Sequence, residues 1–134
     1  MSSSPEKKQK TEDGPSAPAC LVDDKGNIPI KTVSRMLHVR VSGEKDAVAA
    51  QEVLRAVHEM MRAEVKGVQK GLRFVCKEHW DVRYVAVFDG VPALEGYMGG
   101  DARKKVEGKV DELAKKISLV GGVHWQNYVV DEWN

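Results

Sequence analysis

The chain has 134 residues, 42% of them hydrophobic and 31% charged, with a formal net charge of +1. That length leaves room for one domain, and the apolar share is too high for a wholly disordered chain. The near-neutral balance offers no electrostatic basis for a nucleic-acid partner, whose binders carry a basic surplus.

Residues 1–19 are Ser, Pro, Lys, Glu and Gly almost throughout. Ordering them would cost backbone entropy with nothing to bury in return, so they read as a disordered tail. They contain no apolar h-region and are not a secretory signal. Lys7, Lys8 and Lys10 form a weak basic cluster interrupted by Glu6, Glu12 and Asp13, which makes a solvated tail a better reading than an import signal. Residues 20–33 form a transitional arm, with turn chemistry at Asp23-Asp24-Lys25-Gly26-Asn27 and a proline, Pro29, unsuited to a central strand. Residues 34–134 are the folded domain.

Alternation marks Met36 to Val41 as the first strand, with Leu37, Val39 and Val41 on one face and Met36, His38 and Arg40 on the other. Ser42 is a candidate cap for the helix that follows. That helix spans about Glu44 to Val65, with apolar residues at helical spacing and Gly67 as its stop. Leu72 to Lys77 and Val82 to Phe88 make an antiparallel hairpin across Glu78-His79-Trp80-Asp81. Pro92 opens a short helix to about Met98; Gly99-Gly100 breaks it and Asp101 is a plausible N-cap for a longer helix striped by Val106, Val110, Leu113 and Ile117. Val123 to about Val130 is the last strand. The order βαββαβ is the ferredoxin-like arrangement of the α+β class, a four-stranded antiparallel sheet with helices on one face.

The second face of such a sheet is only half polar here. Its candidates are Met36 with His38, Val75, Val85 with Val87, and Trp125 or Tyr128. An apolar sheet face left in water invites a partner. At about 25 cal/mol per Å2, pairing two sheets face to face contributes on the order of 10 kcal/mol before association costs. A homodimer is therefore the expected partner state.

Four stretches carry a family resemblance. Met36-Leu37-His38-Val39-Arg40-Val41 looks like a first strand with an early histidine. Val65-Lys66-Gly67-Val68 looks like a "pGv" step after the first helix. Asp81 to Phe88, then Asp89-Gly90-Val91-Pro92-Ala93-Leu94-Glu95-Gly96-Tyr97, looks like a third strand, an aspartate turn and a tyrosine-bearing helix. With the final helix and strand, these resemble the dimeric α/β-barrel proteins, in particular the stress-responsive A/B-barrel branch and the related antibiotic-biosynthesis monooxygenase branch, over roughly residues 34–133. The resemblance implies a dimeric α/β barrel. It also implies that Tyr97 stands where catalytic members carry a tyrosine, while Gly100 and Arg103 fall where those members carry two histidines.

The candidate catalytic residues are His38, as a base or donor inside the barrel, and Tyr97, through its hydroxyl. Arg103 near a helix start could bind an anion, and His79 and Trp80 could offer a ligand platform; packing in the hairpin is the alternative for the last two. No metal site is expected, because His38, His58, His79 and His124 lie in four different elements without ligand spacing. No cofactor is expected either: Gly99-Gly100 lacks the lysine and preceding glycines of a phosphate loop. Cys20 and Cys76, with no CxxC pair, read as free thiols of a reducing compartment. No apolar run approaches the roughly 20 residues that span a bilayer. The expected location is therefore the cytoplasm, with the nucleus as an alternative. The leading expectation is a homodimer that binds a small organic, anionic molecule and acts on it without a cofactor, or serves a non-catalytic assembly role. The alternative is an RNA-binding module, which shares the βαββαβ order; Arg83-Tyr84-Val85-Ala86-Val87-Phe88 faintly echoes its third strand, but lacks the glycine expected after the arginine.

Overall fold

In the computed structural model, which describes residues 32–131 and 133, alternation and helical spacing become seven elements: β1 (Thr32–Arg40), α1 (Glu44–Glu64), β2 (Val68–Cys76), β3 (Asp81–Phe88), α2 (Val91–Gly99), α3 (Asp101–Ala114) and β4 (Val123–Val130). The strands pair antiparallel in the order β2-β3-β1-β4, the ferredoxin-like topology. The expected tail at 1–19, with Cys20 and the arm up to residue 31, lies outside the described residues. The arm's last two positions, Thr32 and Val33, belong instead to β1.

Parity sorts the sheet into two faces. Val33, Leu37 and Val39 of β1 and Val82, Tyr84, Ala86 and Phe88 of β3 turn to the helices and are buried. α1 meets them with Ala47, Ala50, Leu54, Val57 and Met61, spaced three and four apart so that they share one stripe. Leu94 and Met98 of α2 and Val106 and Val110 of α3 complete the core. Fully burying a side chain such as Leu37 or Val57 contributes about 1.5–3 kcal/mol.

The strand β2 begins four residues before the expected Leu72 because the turn after α1 is short. Gly67 adopts φ +88, and a Cβ there would come within 2.5 Å of the Ala93 Cβ. Only glycine suits both constraints. Its carbonyl accepts the Asp89 N–H at 2.8 Å, which ties the α1–β2 corner to the β3–α2 corner. The two expected caps differ from the structure. Gly43 precedes α1 and Ser42 Oγ lies 3.2 Å from Asp46 Oδ2 instead; Gly100 precedes α3, with Asp101 its first residue and no side-chain cap bond at either start.

On the face turned away from the helices lie Met36, Val85, Val87, Leu72, Phe74 and Tyr128, in register across all four strands. Phe74 is 52% exposed, Leu72 40% and Tyr128 38%. Two candidates for this face belong to the other one: Val75 pairs with the core residue Val82, and Trp125 with Leu37, so both side chains share the helix side.

Candidate functional site

Strand alternation places His38 of β1 on the far face, next to Arg83 of β3 and His124 of β4. The adjoining end of β3 supplies Asp81. His38 Nε2 lies 2.7 Å from Asp81 Oδ1, yet it has no well-aligned hydrogen-bond partner. Proximity here is mainly electrostatic. Arg83 grips the same carboxylate with two bonds of its own, Nε to Oδ1 at 3.2 Å and Nη2 to Oδ2 at 3.0 Å, and its Nη1 points at Met36 Sδ. Burial alone would raise the pKa of Asp81. The Arg83 hydrogen bond and the charges of His38 and Arg83 outweigh burial and hold the carboxyl below its ordinary 3.8. The cluster borders a depression of about 360 Å3 that also takes in Phe74 and Cys76.

On the helix side, a second polar cluster fills the space between β1, β4, α2 and α3. Arg35 is 5% exposed. It donates Nε to Glu107 Oε2 at 2.9 Å and Nη2 to Oε1 at 3.0 Å, and its Nη1 bonds Asn127 Oδ1 at 3.0 Å. The guanidinium carbon sits 5.1 Å from the centroid of the Trp125 ring, a cation–π distance. Tyr97 donates its hydroxyl to Glu107 Oε2 at 2.7 Å, and Arg103 Nε approaches Oε1 at 3.5 Å. The carboxylate of Glu107 thus receives four donors and has no spare lone pair for a substrate. Burial, with the Glu107 charge and hydrogen bond added, pushes the Tyr97 phenol well above its usual range, so it keeps its proton at neutral pH.

The structure therefore separates what the sequence reading joined. His38 and Tyr97 occupy opposite faces of the sheet and share no pocket, because residues of one parity on β1 cannot reach the helix that packs on the other. Arg103 is half-buried and turned inward, with Nη1 on the Met98 carbonyl at 3.3 Å as well as its Glu107 contact. His79 is exposed in the β2–β3 turn. Trp80 in that turn has φ 51, and its carbonyl accepts the Val41 N–H at 3.0 Å while its ring packs on the core. Among the described residues no group of three or more metal-ligating side chains occurs, and no helix is long and apolar enough to cross a membrane.

Sequence reasoning missed Arg35, Glu107 and Asn127 altogether. One signal was available: Arg35 falls on the same parity as Val33, Leu37 and Val39, and a charge at a core position of a strand needs a buried partner. That the partner is Glu107 could not be read from spacing, since 72 residues separate them.

No protein-family model matches the sequence, and no curated protein matches it. Solved structures do match. A candidate antibiotic biosynthesis monooxygenase of Caulobacter crescentus superposes with TM-score 0.53 at 13% identity, covering 77% of this chain and 92% of that one. SnoaB of Streptomyces nogalater, a cofactor-independent oxygenase, gives 0.54 at 10% identity over 77% and 96%. A candidate antibiotic biosynthesis monooxygenase of Deinococcus radiodurans gives 0.52 at 10% identity over 77% and 95%. The chain shares the ferredoxin-like fold of these antibiotic-biosynthesis monooxygenase-type proteins.

Proposed function

We propose that this chain acts as a homodimeric α/β-barrel protein of the stress-responsive type, its two sheets facing each other across a shared interior that holds a small organic molecule. The observation that carries this is the far face of the sheet, where Leu72, Phe74 and Tyr128 stand exposed around buried Val85 and Val87. A second copy removes that apolar surface from water, and no partner of different chemistry is needed. In the paired form, His38, Asp81 and Arg83 face the interior.

Of the two polar clusters, this one is suited to moving a proton. Asp81 stays ionised and opposes a bound carboxylate, and it stands 2.7 Å from His38 Nε2. The ligand's acidic group is then best placed as a neutral O–H or activated C–H that passes its proton to His38, with Arg83 beside the anion that results. Proton abstraction from a small, largely apolar organic acid is the reaction class this arrangement serves. SnoaB, named as a cofactor-independent oxygenase, is a precedent for chemistry of a compatible kind on this fold. Tyr97 and Arg103 act at a distance from it, by orienting Glu107 beneath β1.

Sedimentation equilibrium at micromolar concentration tests the reading. The expected result is twice the chain mass for wild type and a folded monomer for Phe74→Lys, which places a charge on the most exposed of the three apolar residues of the proposed interface. A monomeric wild type would remove the shared interior and the function built on it.

A further inference from the structure

A separate cavity lies on the helix side at the β2 edge of the sheet, far along the strand order from the Arg35–Glu107 cluster on β1 and β4. Its volume is about 190 Å3. A cavity of roughly 150 Å3 is enough to take up a benzene ring. One wall is the α1 face that carries Gln51, Leu54, Arg55 and His58, which recur at three- and four-residue spacing. The other is β2 and β3, through Gly71, Arg73 and Tyr84.

Glycine at 71 is what lets these walls approach. A Cβ there would lie 2.5 Å from His58 Nδ1 and 2.8 Å from the edge of the Tyr84 ring. Without it, the His58 ring seats against the β2 backbone and its Nδ1 meets the Tyr84 hydroxyl at 2.8 Å. Tyr84 is 3% exposed, and burial raises its phenol well above the ordinary range. The hydroxyl therefore keeps its proton at neutral pH and can donate it to Nδ1.

The charge balance of the lining points the same way. Arg55 and Arg73 stand against one carboxylate, Glu52. Neither arginine takes part in an ion pair formed among the described residues. The cavity thus combines an apolar wall from Leu54 and the Tyr84 ring, a histidine held in place by a buried tyrosine, and two guanidinium groups at its mouth. Convergent donors around a small apolar space are the chemistry of a binding site for an organic anion.

We infer that this cavity binds a small aromatic carboxylate of about the size of benzoate, with the ring against Leu54 and Tyr84 and the carboxylate toward Arg73 and Arg55. The cavity does not involve His38 and meets the sheet-face interface only at Leu72, which lines both. Its test is titration of the full chain with sodium benzoate and with benzamide at matched ionic strength, followed by calorimetry and by the imidazole NMR signals of His58. Benzoate should bind at least about tenfold more tightly than benzamide and should move the His58 signals. Arg73→Gln, an exposed strand substitution that leaves the core intact, should weaken benzoate by about tenfold. Arg103→Ala, which removes a guanidinium at the other end of the sheet, should leave benzoate binding unchanged. Equal affinity for acid and amide, no binding of either at millimolar concentration, or benzoate binding unaffected by Arg73→Gln would each overturn the assignment.

Discussion

Arg35 and His38 stand three residues apart on one strand, and each belongs to an ionic cluster, yet the two faces treat their charges differently. On the helix side the Arg35 and Glu107 side chains are 6% and 16% exposed, and every strong donor finds an acceptor. On the far side His38, Asp81 and Arg83 retain more water, and His38 Nε2 sits close to a carboxylate without a well-aligned bond. A desolvated charge must be fully matched, because the interior penalises whatever is left over. On the far face one buried atom, His38 Nε2, is left without such a match and keeps unused bonding capacity. The cluster that holds the fold together is thus the poorer candidate for chemistry, although it contains the tyrosine that family resemblance favours.

The largest expected effect sharpens this difference directly. Glu107→Ala leaves Arg35 buried without its counter-charge and should cost about 3 kcal/mol or more in denaturant unfolding. Asp81→Ala, on the wetter face, should cost less than about 1 kcal/mol. Similar losses for the two would break the comparison.

The pH limits of stability should also divide by face. Asp81 has a depressed folded-state pKa. Its contribution is present above the unfolded carboxyl value of 3.8 and is lost as the pH falls through the lower folded value. Asp81→Asn should flatten the acid limb of a stability–pH curve. Tyr97 has a raised folded-state pKa. Its phenol is neutral in both states below the ordinary value of 10.0; above that, the unfolded chain ionises while the folded one resists, so stability falls as the pH rises. Tyr97→Phe should cost about 1.5–3 kcal/mol at pH 7, the range for a hydrogen bond to a charged group, and should reduce the alkaline loss. An alkaline limb identical in wild type and Tyr97→Phe would show that the phenol titrates freely.

The smallest effect belongs to Arg103→Ala. Its long contact with Glu107 at 3.5 Å is secondary to the bidentate Arg35 pair, and the loss should stay below about 1 kcal/mol in thermal unfolding. A larger loss would make Arg103 an equal member of the buried network.

The fold was legible because its signals are local. Alternation in β1 and β3, the apolar stripe of α1 and the glycine at 67 each depend on a few neighbouring residues, and together they give the element order. The site was legible only in part. His38 could be placed on its face from parity alone, but Tyr97 could be placed opposite it only once the helices had a side. Arg35, Glu107 and Asn127 are joined across β1, α3 and β4, and nothing short of the assembled sheet brings them together. The bounds of β1 and β2 were read too short by four residues at their starts, since Ser34, Arg35, Gln69 and Lys70 interrupt the apolar pattern. Backbone pairing to β3 and β4 holds them in the ladder regardless of their polarity.

The pairing of β1 with β4 sets Thr32 opposite Val130. Backbones so paired run within about 5 Å of each other, close enough for a few glycine and serine residues to join the two strand ends. New termini opened between Gly121 and Gly122, which lie in a loop at φ +83 and +82, would then place β4 ahead of β1 as a simple hairpin. The longest-range pairing in the sheet would become its most local, and the rearranged chain should reach its native sheet faster than the natural order does.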